Sequence, residues 1–184
     1  MVFERKQLPL LAARRQEKRR FIQVLAGPRQ VGKTTLVNQL LRRSAVPTHY
    51  AAADNILQAG SVWIEQQWEI ARLKIQQAAS PEVVLVIDEV QKVPNWSETV
   101  KRLWDEDSRQ DRPVKVILLG SSRLLLQQGL TESLAGRFEL THIGHWSWPE
   151  MQTAFGWNEQ QFVWFGGYPG AAFPKNNRGH PKIG

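Results

Sequence analysis

Cysteine is absent from this chain of 184 residues, and methionine and tyrosine occur only twice each. Disulfide bonds and thiolate zinc sites are therefore excluded, and the composition fits a reducing compartment. Long hydrophobic runs are also lacking. The apolar runs at 83–87 and 116–119 have the length of strands and are far shorter than the roughly 20 residues of a membrane-spanning helix. We expect no membrane partner.

The amino terminus has no continuous apolar segment of the kind that a signal peptide requires, because charged residues and Pro9 interrupt it. We therefore expect a soluble, cytoplasmic protein. Hydrophobic residues make up 42% of the chain, which suits one domain with a core, and the length is too short for two ordinary domains.

The formal net charge is +7 and the pI is about 10.1, which favours encounters with polyanions. Much of the excess charge lies at Arg14, Arg15, Lys18, Arg19 and Arg20. This run is interpreted either as a nucleic-acid contact or as the solvated face of a helix that leads into the first strand. No aromatic side chains for base stacking are interleaved with these charges, so a nucleic-acid partner has little support.

A glycine-rich motif follows a predicted strand at 21–26 and precedes a predicted helix at 33–43. It matches the pattern G-x-x-x-x-G-K-[ST], which is typical of phosphate-binding loops. The helix begins with unpaired N–H groups and the positive end of its dipole, and both favour an anion in the turn. The residues predicted to bind nucleotide are Gly27, Pro28, Arg29, Gln30, Val31, Gly32, Lys33, Thr34 and Thr35.

Each residue type in this loop has a physical role. Gly27 and Gly32 permit backbone angles and close approaches that a Cβ would block, so that N–H groups can converge on phosphate oxygens. Lys33 is a flexible cation that can reach the β- and γ-phosphates, and the Thr34 hydroxyl can ligate Mg²⁺. Pro28 has no N–H to donate, so the other residues must supply the donors.

Two carboxylates, Asp88 and Glu89, follow the apolar run at 83–87, which is predicted to be a strand buried on both faces. In P-loop NTPases, an aspartate in this position helps to hold Mg²⁺, usually through water, and the following glutamate can deprotonate the attacking water. The alternative is an acidic turn after a core strand. Downstream of a phosphate loop, the pair favours triphosphate chemistry.

Three further polar residues are candidates. Ser121 and Ser122 follow a predicted strand at 114–119 and could bond to a γ-phosphate or to the attacking water, or could cap the next helix. Arg137 precedes a predicted strand at 138–143. It could reach a γ-phosphate in the same subunit or in a neighbouring one, or be an ordinary surface charge.

The remaining patterns predict the surrounding elements. Asp54, after a predicted strand at 48–53, is interpreted as a helix or turn cap rather than a nucleotide contact. Three tryptophans, Trp146, Trp148 and Trp157, are predicted to contribute to packing and not to base stacking. Other predicted elements are an N-terminal helical segment at 1–20, interrupted near Pro9, and helices at 61–79, 95–109, 124–128 and 131–136. From Phe165 the periodicity is lost, which indicates a disordered or linking tail, assigned to 173–184.

Five segments together resemble the ATP-binding domain of a large prokaryotic group of AAA-type P-loop ATPases: GPRQVGKTTL, LVIDEVQKVPNW, VILLGSS, ESLAGRFEL and FGGYPGA. The resemblance covers residues 1–172. It implies an α/β fold of the P-loop NTPase type, a three-layer sandwich in which a mostly parallel sheet of about five strands is flanked by helices. It also implies that the Walker A strand lies beside the sensor strand, and that ATP and Mg²⁺ are the ligands.

By position, the resemblance assigns Asp88 and Glu89 to the Walker B pair, Ser121 or Ser122 to the sensor, and Arg137 to a trigger arginine. One departure is Leu119, where members of the group often carry threonine. A second is that the likeness ends soon after Gly170, whereas members usually continue into a C-terminal domain, so the sequence looks like a truncated member.

The leading hypothesis is a Mg²⁺-dependent ATPase that cleaves the β–γ bond of ATP. In it Lys33 binds the triphosphate, Thr34 and Asp88 hold the metal, and Glu89 activates water, assisted by Ser121 and Arg137. One alternative is a nucleotide-dependent switch or interaction module with little hydrolysis, which engages a protein partner or a second copy of itself. Another is a nucleic-acid-binding protein that uses the basic N-terminal run.

Overall fold

The computed structural model describes residues 3–55, 60–122 and 132–172. These residues contain a five-stranded sheet in the order β2-β3-β4-β1-β5, and every adjacent pair is parallel. The predicted α/β class with a parallel sheet of about five strands is confirmed. The strands are β1 (Ile22–Ala26), β2 (Thr48–Ala52), β3 (Val83–Asp88), β4 (Val114–Gly120) and β5 (Phe138–His142).

Helices cover the sheet. In chain order they are α1 (Gln7–Gln16), α2 (Lys33–Arg42), α3 (Ser61–Gln77), α4 (Trp96–Arg109), α5 (Trp148–Phe155) and α6 (Glu159–Phe165), and single 3₁₀ turns occur at Ala53–Asn55, Val90–Lys92 and Pro169–Ala172. None of the helices in the described ranges combines the length and the apolar character that a membrane crossing requires. The helix predicted at 124–128, the start of the one predicted at 131–136 and the tail at 173–184 lie outside these ranges.

The side chains of β3 explain the three layers. Because successive residues of a strand point to opposite faces, Leu85 and Ile87 join one buried cluster while Val84 and Val86 join another. The first cluster includes side chains of α3 and α4, and the second includes side chains of α1 and α2. Burial of each such side chain contributes about 1.5–3 kcal/mol. The sheet is thus the middle layer between two helical layers.

The N-terminal helix differs from the prediction. Pro9 lies in the first turn of α1 and does not interrupt it. A proline is tolerated there because the N–H groups of the first turn have no partner within the helix in any case. Leu8 and Leu11 are buried and pack in the same cluster as Leu36 of α2, so α1 is part of the outer layer.

A buried ion pair joins α3 to α4. Asp107 is fully buried and accepts hydrogen bonds from Trp68 Nε1 at 2.7 Å and from Arg72 Nε at 2.9 Å. The buried carboxylate is therefore compensated by a cation and a neutral donor, as a buried charge requires.

The parallel sheet has one edge at which all five carboxyl ends meet, and open α/β sheets bind ligands at this edge. Ala26 of β1 lies beside Gly120 of β4, and Leu118 of β4 lies beside Ile87 of β3. The segments that follow β1, β3 and β4 therefore begin side by side.

Candidate functional site

The loop between β1 and α2 has a backbone that depends on glycine at two points. A Cβ on Gly27 would lie 1.9 Å from the carbonyl oxygen of Ile143, so only glycine fits against the end of β5. Gly32 has a φ of 88°, in the left-handed region that favours glycine, and Gln30 also has a positive φ of 63°. Left-handed residues among right-handed ones turn successive N–H groups toward a common centre, which creates an anion-binding nest.

The Lys33 side chain lies over this loop. Its Nζ donates hydrogen bonds to the carbonyl oxygens of Gly27 at 3.0 Å and Pro28 at 2.7 Å. Burial lowers the pKa of Lys33, and the nearby negative charges of Glu89 and Asp88 offset part of that effect. The ammonium group is therefore bonded to the phosphate loop and feels the charge of the two carboxylates.

Asp88, at the end of β3, is almost fully buried and accepts three hydrogen bonds. Its Oδ2 accepts from Thr34 Oγ1 at 2.8 Å and from the Tyr50 hydroxyl at 2.5 Å, and its Oδ1 accepts from the Glu89 N–H at 2.8 Å. Burial and the bond to Asp88 raise the pKa of Tyr50, so that the phenol remains a donor.

These residues fit a magnesium ion. Because Thr34 donates its hydroxyl proton to Asp88, the lone pairs of Thr34 Oγ1 remain available to a cation. No group of three or more His, Asp or Glu side chains in the described ranges could hold a metal by itself. Mg²⁺ commonly binds through one or two protein oxygens together with waters and substrate phosphates, so a hydroxyl and one carboxylate beside a phosphate loop suit it.

Glu89 follows directly and has an unusual backbone. Its φ of 53° places it in the left-handed region, which is uncommon for a residue with a Cβ and recurs at functional sites. The side chain lines the cavity described next, and its Oε2 accepts a hydrogen bond from Gln91 Nε2 at 2.5 Å. The carboxylate therefore has a fixed partner two residues along the chain.

A cavity of about 900 Å³ opens beside the loop. Its volume lies within the range of small-molecule sites. Its lining includes the polar side chains of Lys33, Thr34 and Glu89 and the apolar side chains of Phe3, Trp146, Phe155 and Pro169. The cavity thus joins an anion site to an aromatic compartment.

Trp146 connects the aromatic compartment to the phosphate loop. Its Nε1 donates a 2.9 Å hydrogen bond to the carbonyl oxygen of Val31, and its ring centroid lies 5.1 Å from that of Phe3 and 5.6 Å from that of Phe155. The predicted packing role of Trp146 agrees with these contacts. Its position on the cavity wall was missed, because no local pattern places the segment after β5 beside the loop after β1.

Arg5 is a second residue that the sequence did not single out. Its side chain is only 4% exposed; it donates to the carbonyl oxygens of Val31 at 3.3 Å and Gly144 at 3.1 Å, and it pairs with Glu150 at 3.2 Å. The guanidinium carbon lies 5.2 Å from the centroid of the Trp146 ring. Arg5 therefore ties the N-terminal segment, the phosphate loop and α5 together.

The segment after α6 packs against the loop after β5, although its loss of periodicity indicated a disordered or linking stretch; the tail assigned to 173–184 lies outside the described residues. Trp146 N–H donates to the Gly167 carbonyl oxygen at 2.9 Å, and a Cβ on Gly167 would lie 2.1 Å from the Trp146 carbonyl oxygen. Pro169 and Gly170 then line the cavity. The loss of periodicity arose from close backbone packing, which needs glycine.

Ser121 lies where the strands end, directly after β4. It is buried, and it follows Gly120, which pairs with Ala26 immediately before the phosphate loop. Ser122 is exposed. Ser121 therefore follows the strand beside β1, and its sensor role stays a prediction.

Arg137 lies on the opposite side of the sheet, where the strands begin. It precedes β5, and its carbonyl oxygen accepts from the N–H of Ile22 at the beginning of β1, whereas the phosphate loop follows the end of β1. Its guanidinium donates to both carboxylate oxygens of Asp105 at 2.8 and 3.0 Å, which raises the pKa of Arg137. The interpretation that Arg137 reaches the γ-phosphate of its own subunit is therefore wrong.

Three of the five cations in the basic N-terminal run contact residues distant in sequence, and a fourth, Arg20, lies 4.9 Å from the centroid of the neighbouring Phe21 ring. Arg14 donates to Thr141 Oγ1 at 2.9 Å, Arg15 donates to Ser44 Oγ at 3.4 Å, and Arg19 lies 3.5 Å from the centroid of the Trp104 ring. These contacts favour a packing role for the three arginines over a free nucleic-acid surface.

Comparison with known proteins agrees with this geometry. A family model described as an AAA domain matches residues 19–152. Among solved structures, Aeropyrum pernix Orc1 in complex with DNA is similar with a TM-score of 0.56 and 16% identity, over 82% of this chain and 47% of that one. Thermotoga maritima RuvB, described as a Holliday junction branch migration motor, is similar with a TM-score of 0.51 and 18% identity, over 87% of this chain and 49% of that one.

These two similarities show a shared fold, and the chain spans about half the length of either structure. No curated protein sequence matches the chain significantly.

Proposed function

The chain belongs to the AAA domain family, and from that premise we propose that it is a Mg²⁺-dependent ATPase that cleaves the β–γ phosphoanhydride bond of ATP. The observation that carries the proposal is the hydrogen bond from Thr34 to Asp88, with Glu89 next in sequence. It unites the first residues of the helix after the phosphate loop with the carboxylates that end β3. A simple phosphate-binding site has no need of such a pair.

In the proposed reaction the protein contributes mainly position and charge, because phosphoryl transfer needs little covalent help. The loop amides and the Lys33 ammonium bind the β- and γ-phosphate oxygens. Thr34 and Asp88 would hold Mg²⁺, which neutralises charge that develops on the phosphate oxygens when it is bound. Glu89 accepts the proton of the attacking water, and Ser121 is proposed to orient that water or the γ-phosphate.

The aromatic compartment is proposed to receive the nucleotide base. Trp146 and Phe3 line the cavity, and the Trp146 ring lies against the phosphate loop, where its Nε1 donates to the Val31 carbonyl oxygen. Stacking of a base on an aromatic ring contributes about 1–3 kcal/mol and tolerates different bases.

A second candidate function is a nucleotide-dependent switch that hydrolyses ATP slowly. The observation that favours it is the hydrogen bond between Gln91 and Glu89, because a carboxylate held by an amide is a poorer acceptor for a proton from water. Single-turnover hydrolysis by Gln91→Ala separates the two functions. The switch predicts faster hydrolysis than in the wild type, and the constitutive ATPase predicts an unchanged or slower rate.

Arg137 is proposed to contact the γ-phosphate bound by a neighbouring subunit, which would be a second copy of the chain. In that role its guanidinium would exchange Asp105 for a γ-phosphate across the interface. Mixtures of Arg137→Ala with Lys33→Ala test this. Recovery of hydrolysis in the mixture supports it, and an inactive mixture contradicts it.

The main proposal is tested by calorimetric titration of ATP and GTP with Mg²⁺ or with EDTA, together with a phosphate-release assay. We expect the wild type to bind and hydrolyse ATP, and Lys33→Ala to lose at least about tenfold in affinity, because a buried cation that faces phosphate is removed. Lys18→Ala, which removes an exposed lysine, is the matched control. Equal affinities for wild type and Lys33→Ala would contradict the proposal.

A further inference from the structure

Tyr50 lies on β2, an outermost strand of the sheet, and its hydroxyl bonds to Asp88 at the carboxyl end of β3. In the parallel register, Tyr50 is beside Val86 and Ala52 is beside Asp88. Because side chains alternate along a strand, Tyr50, Val86 and Asp88 project from one face of the sheet. This is the face that α2 covers, since Val86 shares a buried cluster with Leu36. The Tyr50 hydroxyl thereby reaches both Asp88 and the beginning of α2.

The carboxylate of Asp88 is nearly saturated by donors. A carboxylate offers about four lone-pair positions. Thr34 and Tyr50 occupy two on Oδ2, and the Glu89 N–H occupies one on Oδ1. One position remains for a further donor, such as a metal-bound water. Without the Tyr50 hydroxyl, the carboxylate would have two free positions, one on each oxygen, and only Thr34 and the Glu89 N–H would hold its orientation.

We infer that Tyr50 is a positioning residue of the magnesium site: its hydroxyl fixes the orientation of the Asp88 carboxylate, so that this carboxylate receives a cation through water. The inference rests on the proposed function and adds a residue to it. Tyr50 acts through Asp88, so it contributes to the affinity for the cation and not to the affinity for phosphate.

A purely structural role for the hydroxyl has less support from the surroundings. Tyr50 is 37% exposed, so its ring is not part of the buried core, and a hydroxyl at this depth can also be satisfied by water. The 2.5 Å contact with Asp88 instead directs it to a charged acceptor. Partners of metal ligands typically contribute 10–100-fold to metal affinity or activity.

The test compares wild type with Tyr50→Phe, which keeps the ring and removes the hydroxyl. ADP is titrated calorimetrically in EDTA and at increasing Mg²⁺ concentrations, and Mn²⁺ binding in the presence of ADP is followed by electron paramagnetic resonance. In EDTA, we expect the affinity of Tyr50→Phe for ADP to be within about twofold of that of the wild type. The variant should need an about 10-fold higher Mg²⁺ or Mn²⁺ concentration to reach half of the increase in ADP affinity that the metal produces.

Thr48→Val is the control, because it removes a hydroxyl from the beginning of the same strand, β2, at the opposite end from Asp88. Its metal requirement should equal that of the wild type. The inference is overturned if Tyr50→Phe has the metal requirement of the wild type, or if it loses affinity equally with EDTA and with Mg²⁺, since that result indicates a structural role. Failure of the wild type to bind ADP would instead contradict the proposed function itself.

Discussion

The indole nitrogen of Trp146 donates a hydrogen bond to the carbonyl oxygen of Val31, which lies 115 positions earlier in the chain. The Arg5 guanidinium donates to the same oxygen. One carbonyl of the phosphate loop therefore receives donors from the N-terminal segment and from the segment after β5. The shape of the loop depends on side chains that lie far from it in sequence.

Replacement of Trp146 should weaken nucleotide binding in two steps. Trp146→Phe loses the donor to Val31, worth about 1 kcal/mol, and should lower ATP affinity several-fold. Trp146→Ala also loses the ring and should lower it by at least about tenfold. Trp164→Ala removes a tryptophan that is 75% exposed and serves as the control. Calorimetric titration measures all three, and equal affinities for Trp146→Ala and Trp164→Ala would exclude a base contact at Trp146.

Glu89→Gln should separate binding from hydrolysis. The substitution keeps the shape of the side chain and removes the proton acceptor, so we expect a loss of about 100-fold or more in turnover with ATP affinity preserved. Phosphate release under single-turnover conditions measures the first quantity, and calorimetry measures the second. Glu159→Gln, at the exposed start of α6, controls for the loss of one negative charge. Turnover equal to that of the wild type would remove Glu89 from the mechanism.

The ion pair between Arg5 and Glu150 should make stability depend on acid pH. Burial alone would raise the pKa of Glu150, but hydrogen bonds from the Ser147 amide and from Arg5 outweigh it and lower the pKa below its ordinary value of 4.5. The Glu150 carboxylate therefore binds a proton less readily in the folded state than in the unfolded state. The resulting stability is fully present above pH 4.5 and is lost as the pH falls through the lowered pKa.

Thermal unfolding of Glu150→Gln between pH 3 and pH 7 tests this prediction. We expect the variant to be less stable than the wild type by about 1–3 kcal/mol at pH 7, and the difference to shrink as the pH falls below 4.5. A difference that stays constant over this range would show that the charge of Glu150 does not contribute.

Asp107→Asn should destabilise the fold strongly without a direct effect on the site. The variant replaces the fully buried carboxylate that pairs with Arg72 by a neutral amide; because Glu69 and Glu106 also pair with Arg72, we expect a cost of about 1.5–3 kcal/mol. Glu65→Gln removes an exposed pair with Arg102 and should cost about 1 kcal/mol at most. Urea unfolding measures both, and similar unfolding midpoints for the two variants would contradict the prediction.

The parts of the site that were predictable are those in which one short segment carries both the element and the chemistry. The run at 83–87 shows a buried strand by its continuous apolar character, and Asp88 and Glu89 follow it directly. The glycine and lysine pattern likewise marks the turn between β1 and α2. Such signals do not depend on which strands are neighbours.

The parts that were not predictable depend on strand order. Trp146 reaches the loop because β5 pairs with β1, and Arg5 is buried by its contacts with Gly144 and Glu150; no local pattern reports either fact. Arg137 is different, because information about its position was present in the sequence. A residue that precedes a parallel strand lies at the edge opposite the carboxyl ends, which excludes contact with a phosphate loop in the same sheet.

The order of the strands also has a kinetic consequence. β1 is synthesised early, but its neighbours in the sheet are β4 and β5, and Gln23 pairs with Ile117 and Glu139. Contacts between residues so distant in sequence slow folding, because a long loop must close before the contacts stabilise the structure. A growing chain therefore cannot complete the support of its phosphate loop until residue 146 has emerged from the ribosome, so nucleotide can stabilise only a nearly finished domain.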